Sequence, residues 1–427
     1  MNWSRLYGFK NYLKSSLWLV PFVAIPLELA TTRLLHRLDA WLGWTLLGFT
    51  QTGARVLLEA FVTITLSFVV FTFGSLLVAI QVASAQLTPR LIATTLLRDR
   101  VVKYTVGLFI FTLMFALSAQ NLMENRVNQL VMLLATLLGV FSLAAFFYLI
   151  DYASRLLRPI SLLAHVGAAG IAVTESVYPE IGHGTEIEEG GIIDLGAPGR
   201  VIRHQGASAI VVAADLEALR GQAERSKGII EFVPQIGDFV AIDDPLFNLY
   251  GGACSVDARK LSSSVAFGSE RVMDQDPTFA FRIVVDVALK ALSPAINDPT
   301  TAVLAMDQLH RLLRGVGRRH LRTDELLDQS GKIRVIFRTP NWDDFVYLVF
   351  SEIRSCGSNN LQVVRRMRAM IENLVQTLPP NRRQALLRQL SLLDREVERI
   401  FIYPEELALA RVADAQGLGG HSGKVTH

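Results

Sequence analysis

The sequence predicts an α-helical membrane domain of four transmembrane helices, followed by a cytoplasmic α+β region. Three observations carry this. Four long apolar runs, at 17–35, 56–85, 101–122 and 130–150, fall within the first 158 residues. Each has about the 17–25 residues needed to cross a hydrocarbon layer about 30 Å thick. Their few charges, Glu59 and Lys103 among them, sit near the ends, where a soluble amphipathic helix would show a polar face throughout. Basic residues flank alternate connections, and the pattern after residue 158 turns first strand-like and then helical.

The charge pattern sets the orientation. Arg5, Lys10 and Lys14 precede the first run, Arg90, Arg98, Arg100 and Lys103 lie between the second and third, and Arg155 and Arg158 follow the fourth. The positive-inside bias therefore places both termini and the C-terminal region in the cytoplasm of a bacterial inner-membrane protein. The first connection is an exception, with Arg33, Arg37 and Arg55, and its Trp41 and Trp44 suit an interfacial segment. Pro21, Pro26 and Glu28 interrupt the first run, and no small-residue cleavage site follows, so it reads as a retained, kinked helix rather than a signal peptide.

In the second run Glu59, Thr63, Ser67, Gly74 and Gln81 recur at spacings of four and seven and share one helical face. Such a stripe either packs against a partner helix or lines a wet path, and an acid near a helix end either reaches the interface or faces a cavity.

After Arg158-Pro159 come strand-like runs at 199–204, 208–213 and 229–234, punctuated by glycine. The stretch 236–250, with its Gly237-Asp238 and Asp243-Asp244-Pro245 turns, reads as two hairpin edges of a small barrel. It resembles the strand pair of a biotinyl- or lipoyl-type barrel-sandwich domain, without the lysine that such domains modify at their hairpin. From Asp274 onward helices dominate. Asp276-Pro277-Thr278 and Asp298-Pro299-Thr300 lie 22 residues apart, and each presents an N-cap followed by proline at the first helical position. The first of these helices, 279–292, carries Arg282, Asp286 and Lys290 at spacings of four, and Ser293-Pro294 ends it. Amphipathic helices are expected at 342–356, 361–378 and 382–403. The expected domains are thus 1–158 in the membrane, 159–255 barrel-sandwich-like, 256–412 helical, and a disordered tail at 413–427.

Two long stretches are similar to the signatures of a known family. One is Ala83-Ser-Ala-Gln-Leu-Thr-Pro-Arg-Leu91, followed by Leu97-Arg-Asp-Arg100. The other runs from Gln275-Asp-Pro-Thr-Phe-Ala-Phe-Arg282 to Ser293-Pro-Ala-Ile-Asn-Asp-Pro-Thr-Thr-Ala302. The family is the bacterial predicted membrane proteins catalogued as domain of unknown function 2254. The resemblance covers nearly the whole chain and implies a bacterial inner-membrane protein of this two-part layout, with no established activity.

Enzymatic signatures are missing. The sequence has no phosphate loop ending in Gly-Lys-Ser/Thr, no His-Glu-x-x-His and no Gly-x-Ser-x-Gly. Of the eight histidines, His183, His204, His310 and His320 share no ligand spacing, and Cys254 and Cys356 lie far apart, so neither a metal nor a cofactor is expected. A net charge of +3 gives no nucleic-acid surface. The best ligand-binding candidates are Asp276, Arg282, Asp286, Lys290, Ser293, Asn297, Asp298 and Thr301. They are read either as a site facing the 293–298 turn or as two caps and a charged face. Three functions stay open: a homo-oligomeric channel with a cytoplasmic regulatory domain, a membrane-anchored sensor or scaffold, and a membrane enzyme working through 276–301. The bilayer is the one partner the composition names.

Overall fold

The structure is a computed structural model and describes residues 3–16, 18–42, 48, 50–86, 99–122, 127–156, 158–181, 195–321 and 324–420. The chain divides into two compact units, one of residues 11–85 and 89–162, the other of residues 1–10, 86–88 and 163–427.

The first unit is helical: α2 (Leu19–Leu42), α3 (Gln51–Gln86), α4 (Arg100–Asn121) and α5 (Gln129–Leu156), after α1 (Trp3–Ser15). Its packing depends on small residues that let helices approach. A Cβ at Gly107 would lie 2.7 Å from Val20 Cγ1, and one at Gly139 would lie inside the Phe61 ring contact. One core joins Ala54, Leu58, Phe115, Ala119 and Met132, and another joins Phe68, Phe109 and Leu149. Phe68 and Phe146 stack with centroids 4.1 Å apart. Carboxylates satisfy the free amides at helix starts. Asp99 Oδ1 accepts from Val102 N at 3.1 Å, and Asp39 Oδ1 accepts from Leu130 N at 3.1 Å. The outer surface of α3 is apolar at Leu66, Val70, Phe71, Leu77 and Val78, as a lipid-facing helix requires.

Among the described residues five helices, not the four expected, are long and apolar enough to cross a membrane: Leu19–Asp39, Gln51–Val78, Arg100–Asn121, Gln129–Arg155 and Ile160–Val177. The fifth lies in α6 (Pro159–Val177). Its large apolar residues, Ile160, Leu162, Leu163, Val166, Ile171 and Val173, are interrupted by His165 and Gly167-Ala-Ala-Gly170, so they form no unbroken run.

The second unit holds two sheets built from β1 (Arg200–Arg203), β2 (Ala209–Ala214), β3 (Gly228–Phe232), β4 (Phe239–Val240), β5 (Pro245–Gly251), β6 (Val265–Gly268), β7 (Glu325–Leu327) and β8 (Ile333–Phe337). One sheet has the order β1-β5-β3-β8-β7, the other β4-β2-β6. All pairings are antiparallel except β3 with β8, where Ile230 faces Val335. One core joins both sheets to α7 (Leu216–Ser226), through Val211, Leu219, Phe232, Phe247, Val265 and Val335. Two expectations change here. The 236–250 stretch is not a hairpin pair, because β4 joins one sheet and β5 the other. Strands β6, β7 and β8 lie in 256–412, expected to be helical, and complete sheets begun before residue 251, so position 255 is no boundary.

The helices of this unit are α8 (Ala258–Ser262), α9 (Pro277–Ala291), α10 (Pro299–Gly317), α11 (Trp342–Gly357), α12 (Leu361–Thr377), α13 (Arg383–Ile400) and α14 (Pro404–Ala410). Within this unit α6 packs tightly: Cβ atoms at Gly167 and Gly170 would lie 2.6 Å from Gln308 Oε1 and 2.7 Å from Ala280 Cβ. The chain beyond Ala413, expected to be disordered, is ordered to Gly420. Asp414 accepts backbone amides of Gln416, Gly417 and Gly419, and the fully buried Arg365 donates to the carbonyls of Val412, Gly419 and Gly420. Polar, glycine-rich sequence hides this because the partner is an arginine 47–55 positions earlier.

Candidate functional site

The two Asp-Pro-Thr segments begin α9 and α10 in the same way. Asp276 Oδ1 accepts from Phe279 N at 3.1 Å and from the Thr278 hydroxyl. Asp298 Oδ1 accepts from Thr301 N at 3.0 Å, and Oδ2 from the Thr301 hydroxyl at 2.5 Å. Proline stands in the first turn of both helices, where no amide partner is lost. Between them the chain reverses through Ser293–Asp298. Ser293 Oγ donates to Lys290 O at 2.7 Å, Asn297 N donates to Ser293 O at 2.8 Å, and Asp298 N donates to Ala291 O at 2.8 Å. Asn297 takes φ +47, a conformation asparagine tolerates better than most side chains.

The charged face of α9 does not point into that turn. Arg282 Nε donates to Asp286 Oδ1 at 2.7 Å, and its two terminal nitrogens form a fork with Glu352 of α11. Arg282 lies eleven residues before Ser293, about 16 Å along the helix axis. Lys290 alone of the trio sits in the last turn. The fork raises the Arg282 pKa and lowers that of Glu352. Nothing in the local sequence of α9 marks Glu352, because the pair joins positions 70 apart.

The residues just before α9 tie it to two other elements. Tyr7 of α1 donates its hydroxyl to Asp274 Oδ2 at 2.9 Å, and Gln275 Oε1 accepts from Ala214 N at the end of β2, also at 2.9 Å. Trp3 and Tyr7 pack on Val212, Ala213 and Ala266 of the three-stranded sheet. Asp276 itself is 3% exposed, and its Oδ2 has no hydrogen-bond partner. Gly237, at φ +95, passes so close that a Cβ there would lie 2.6 Å from that oxygen. Burial pushes the Asp276 carboxyl above its ordinary range, against the opposing pull of the Thr278 hydroxyl and Arg271.

In the helical unit the α3 stripe is exposed along its length: Glu59, Thr63, Ser67, Gly74 and Gln81 all lie on the surface, while Ala54, Leu58, Thr65, Phe68 and Thr72 turn inward. Thr63 and Ser67 donate to the carbonyls four residues earlier, and Glu59 Oε1 accepts from Gln120 Nε2 at 3.3 Å. A Cβ at Gly74 would meet nothing within 4 Å. Apart from the Glu59–Gln120 contact, these residues therefore do not pack this subunit together.

The family profile described as predicted membrane protein, DUF2254, matches residues 14–373. The chain belongs to this family. Uncharacterized proteins of Mycobacterium bovis and Mycobacterium tuberculosis are each 25% identical to it over 436 aligned residues, covering 97% of this chain and 82% of theirs. No solved structure matches.

Most of the first DUF2254 signature, residues 87–98, lies outside the described residues, as do His183 and Trp44. The second signature is the capping and docking segment just described. Glu28, which the sequence shows only as an interruption of the first run, has a buried partner. It is 1% exposed within the helical unit, and Thr32, four residues on, donates to its Oε1 at 2.7 Å. Thr112 and Ser142 form a second buried polar pair at 2.9 Å. The i, i+4 spacing of Glu28 and Thr32 inside an apolar run was the available signal.

Proposed function

We propose that this DUF2254 protein is a pore-type, homo-oligomeric inner-membrane protein with four crossings and a regulatory soluble unit in the cytoplasm. The observation that carries this is the exposed polar face of α3. Thr63, Ser67, Gly74 and Gln81 face away from their own subunit, Glu59 touches it only through Gln120, and Glu59 and Gln81 facing lipid would leave polar groups poorly solvated. A second copy, or a wet path between copies, resolves that.

Four crossings are supported by parity. Trp3 and Tyr7 of α1 pack within the same compact unit as the C-terminal sheets, so both belong on one side of the bilayer. An even number of crossings must separate them. The helix to leave out is α6: apart from Ile160 at its start, its outward residues are His165, Ala168, Ala172, Glu175 and Ser176, whereas α3 shows lipid large aliphatic and aromatic side chains. The basic flanks of the first, second and fourth spans favour the cytoplasm.

Single cysteines at 63, 67, 74 and 81, in a background without Cys254 and Cys356, test the pore. Labelling by a water-soluble thiol reagent along that face, with little at Leu66, Val70 or Leu77, is the expected result. Uniform protection together with a monomer by light scattering overturns it. A second reading, a membrane-anchored sensor, is favoured by a group of arginines at the C-terminal end of α10 that have no carboxylate partner among the described residues. The enzyme reading gains no support from 276–301, where both aspartates serve as caps.

A further inference from the structure

Helix α10 buries Ala302, Met306, Leu309, Leu313 and Val316, and turns Arg311, Arg314 and its C-terminal cap Arg318 outward. Those three positions span two turns, about 10 Å. They line a cleft of about 320 Å³ with Asp307, His310 and Gly315. A second cleft of about 250 Å³ shares Gly315 and Arg318 and reaches Ile171 and Thr174 of α6.

The charge balance of this face is lopsided. Asp307 is held by Arg366 at 2.7 Å, and Glu175 by Arg319 at 2.9 Å. His310 is fixed as a neutral ring: Arg366 donates to Nδ1 at 3.4 Å, which leaves Nε2–H to donate to Asn373 Oδ1 at 2.9 Å, and burial lowers its pKa. Among the described residues, Arg311, Arg314 and Arg318 have no carboxylate partner. The uncompensated charge is that of three guanidinium groups. The C-terminal dipole of α10 opposes it with only about half a charge.

We infer that this cleft binds a phosphate-bearing anion. Guanidinium forks match phosphate oxygens two at a time, and three of them on one helix face suit a diphosphate or a phosphate-ester headgroup. The volume admits more than a single phosphate, and Gly315 leaves the floor between Arg311, Arg314 and Arg318 free of side chain. The inference is independent of whether α3 lines a pore.

The test uses the purified full-length chain in zwitterionic detergent at low salt. Calorimetric titration is run with inorganic pyrophosphate and, separately, with a short-chain phosphatidic acid below its micellar concentration. Wild type should bind at least one probe, and the combined variant Arg311→Gln, Arg314→Gln, Arg318→Gln should lose at least roughly ten-fold in affinity. Tighter binding of the phosphatidate assigns the site to a lipid headgroup, and equal or tighter binding of pyrophosphate assigns it to a soluble phosphate compound. A charge-matched control, Arg225→Gln, Arg259→Gln, Arg395→Gln, should bind as wild type does. Arg314→Gln alone should give an intermediate loss if the triple variant melts early. The proposal is overturned if wild type binds neither probe, if the triple variant binds undiminished, or if the control loses as much. It also fails if binding appears only after Glu186, Glu188 and Glu189 are changed to glutamine, since the arginines would then serve the chain's own carboxylates.

Discussion

Asp276-Pro277-Thr278 and Asp298-Pro299-Thr300 are the same tripeptide, and their caps have nearly the same backbone, φ −119 and ψ 90 against φ −113 and ψ 82. Their surroundings differ. Asp298 is half-buried, and both its oxygens are used, by the backbone and hydroxyl of Thr301. Asp276 lies under the Gly237 turn, beside a segment that also anchors α1 and β2, with one oxygen unpartnered. Local sequence therefore sets the cap, while tertiary burial sets its electrostatic cost.

The largest expected effect comes from Gly237→Ala. A φ of +95 is costly for alanine, and its Cβ would meet Asp276 Oδ2 at 2.6 Å, so a loss of about 2 kcal/mol is expected in thermal melts of the full-length chain. Adding Asp276→Ala should recover part of that loss, whereas adding Asp298→Ala should deepen it. Equal behaviour of the two double variants would erase the distinction between the caps.

Next come the aspartates themselves. Asp298→Ala should cost about 1 kcal/mol and Asp298→Asn almost nothing, because asparagine caps as well as aspartate. Asp276→Asn should instead raise the melting midpoint at pH 7. Its carboxyl is raised in the folded chain, so the folded state holds the proton more tightly, and stability is lost as pH rises above about 4. The advantage of Asp276→Asn should accordingly vanish toward pH 4. A gap independent of pH would mean that the carboxylate is not the cause.

A loss below that of Asp298→Ala is expected at Glu352→Gln. The carboxylate is half-exposed, so the fork to Arg282 contributes below about 1 kcal/mol. Its pKa is lowered in the folded chain, so the contribution is present above the ordinary glutamate value and disappears as pH falls through the lower folded value. Hydrogen exchange at the Phe279 and Thr301 amides should stay unchanged in this variant. Faster exchange at either would show that the α9 face supports the caps.

Sequence periodicity alone located four of the five long apolar helices, the two caps, and helices α9, α11, α12 and α13, the last four to within a few residues at each end. Those features depend on side chains close in sequence: apolar runs, Asp-Pro pairs, and Asn341 and Asn360, which cap α11 and α12. Contacts between distant segments decided the rest. Strand β8 joins β3 across 105 residues, Glu352 meets Arg282 across 70, and Tyr7 meets Asp274 across 267. The direction of the α3 stripe was equally hidden, because its period gives a face but not what that face meets. The outward turn of Arg311, Arg314 and Arg318 acquired meaning once Asp307 and Glu175 were found held by other arginines. A local pattern fixes backbone conformation within a few turns, whereas burial and charge compensation depend on which remote segments fold alongside.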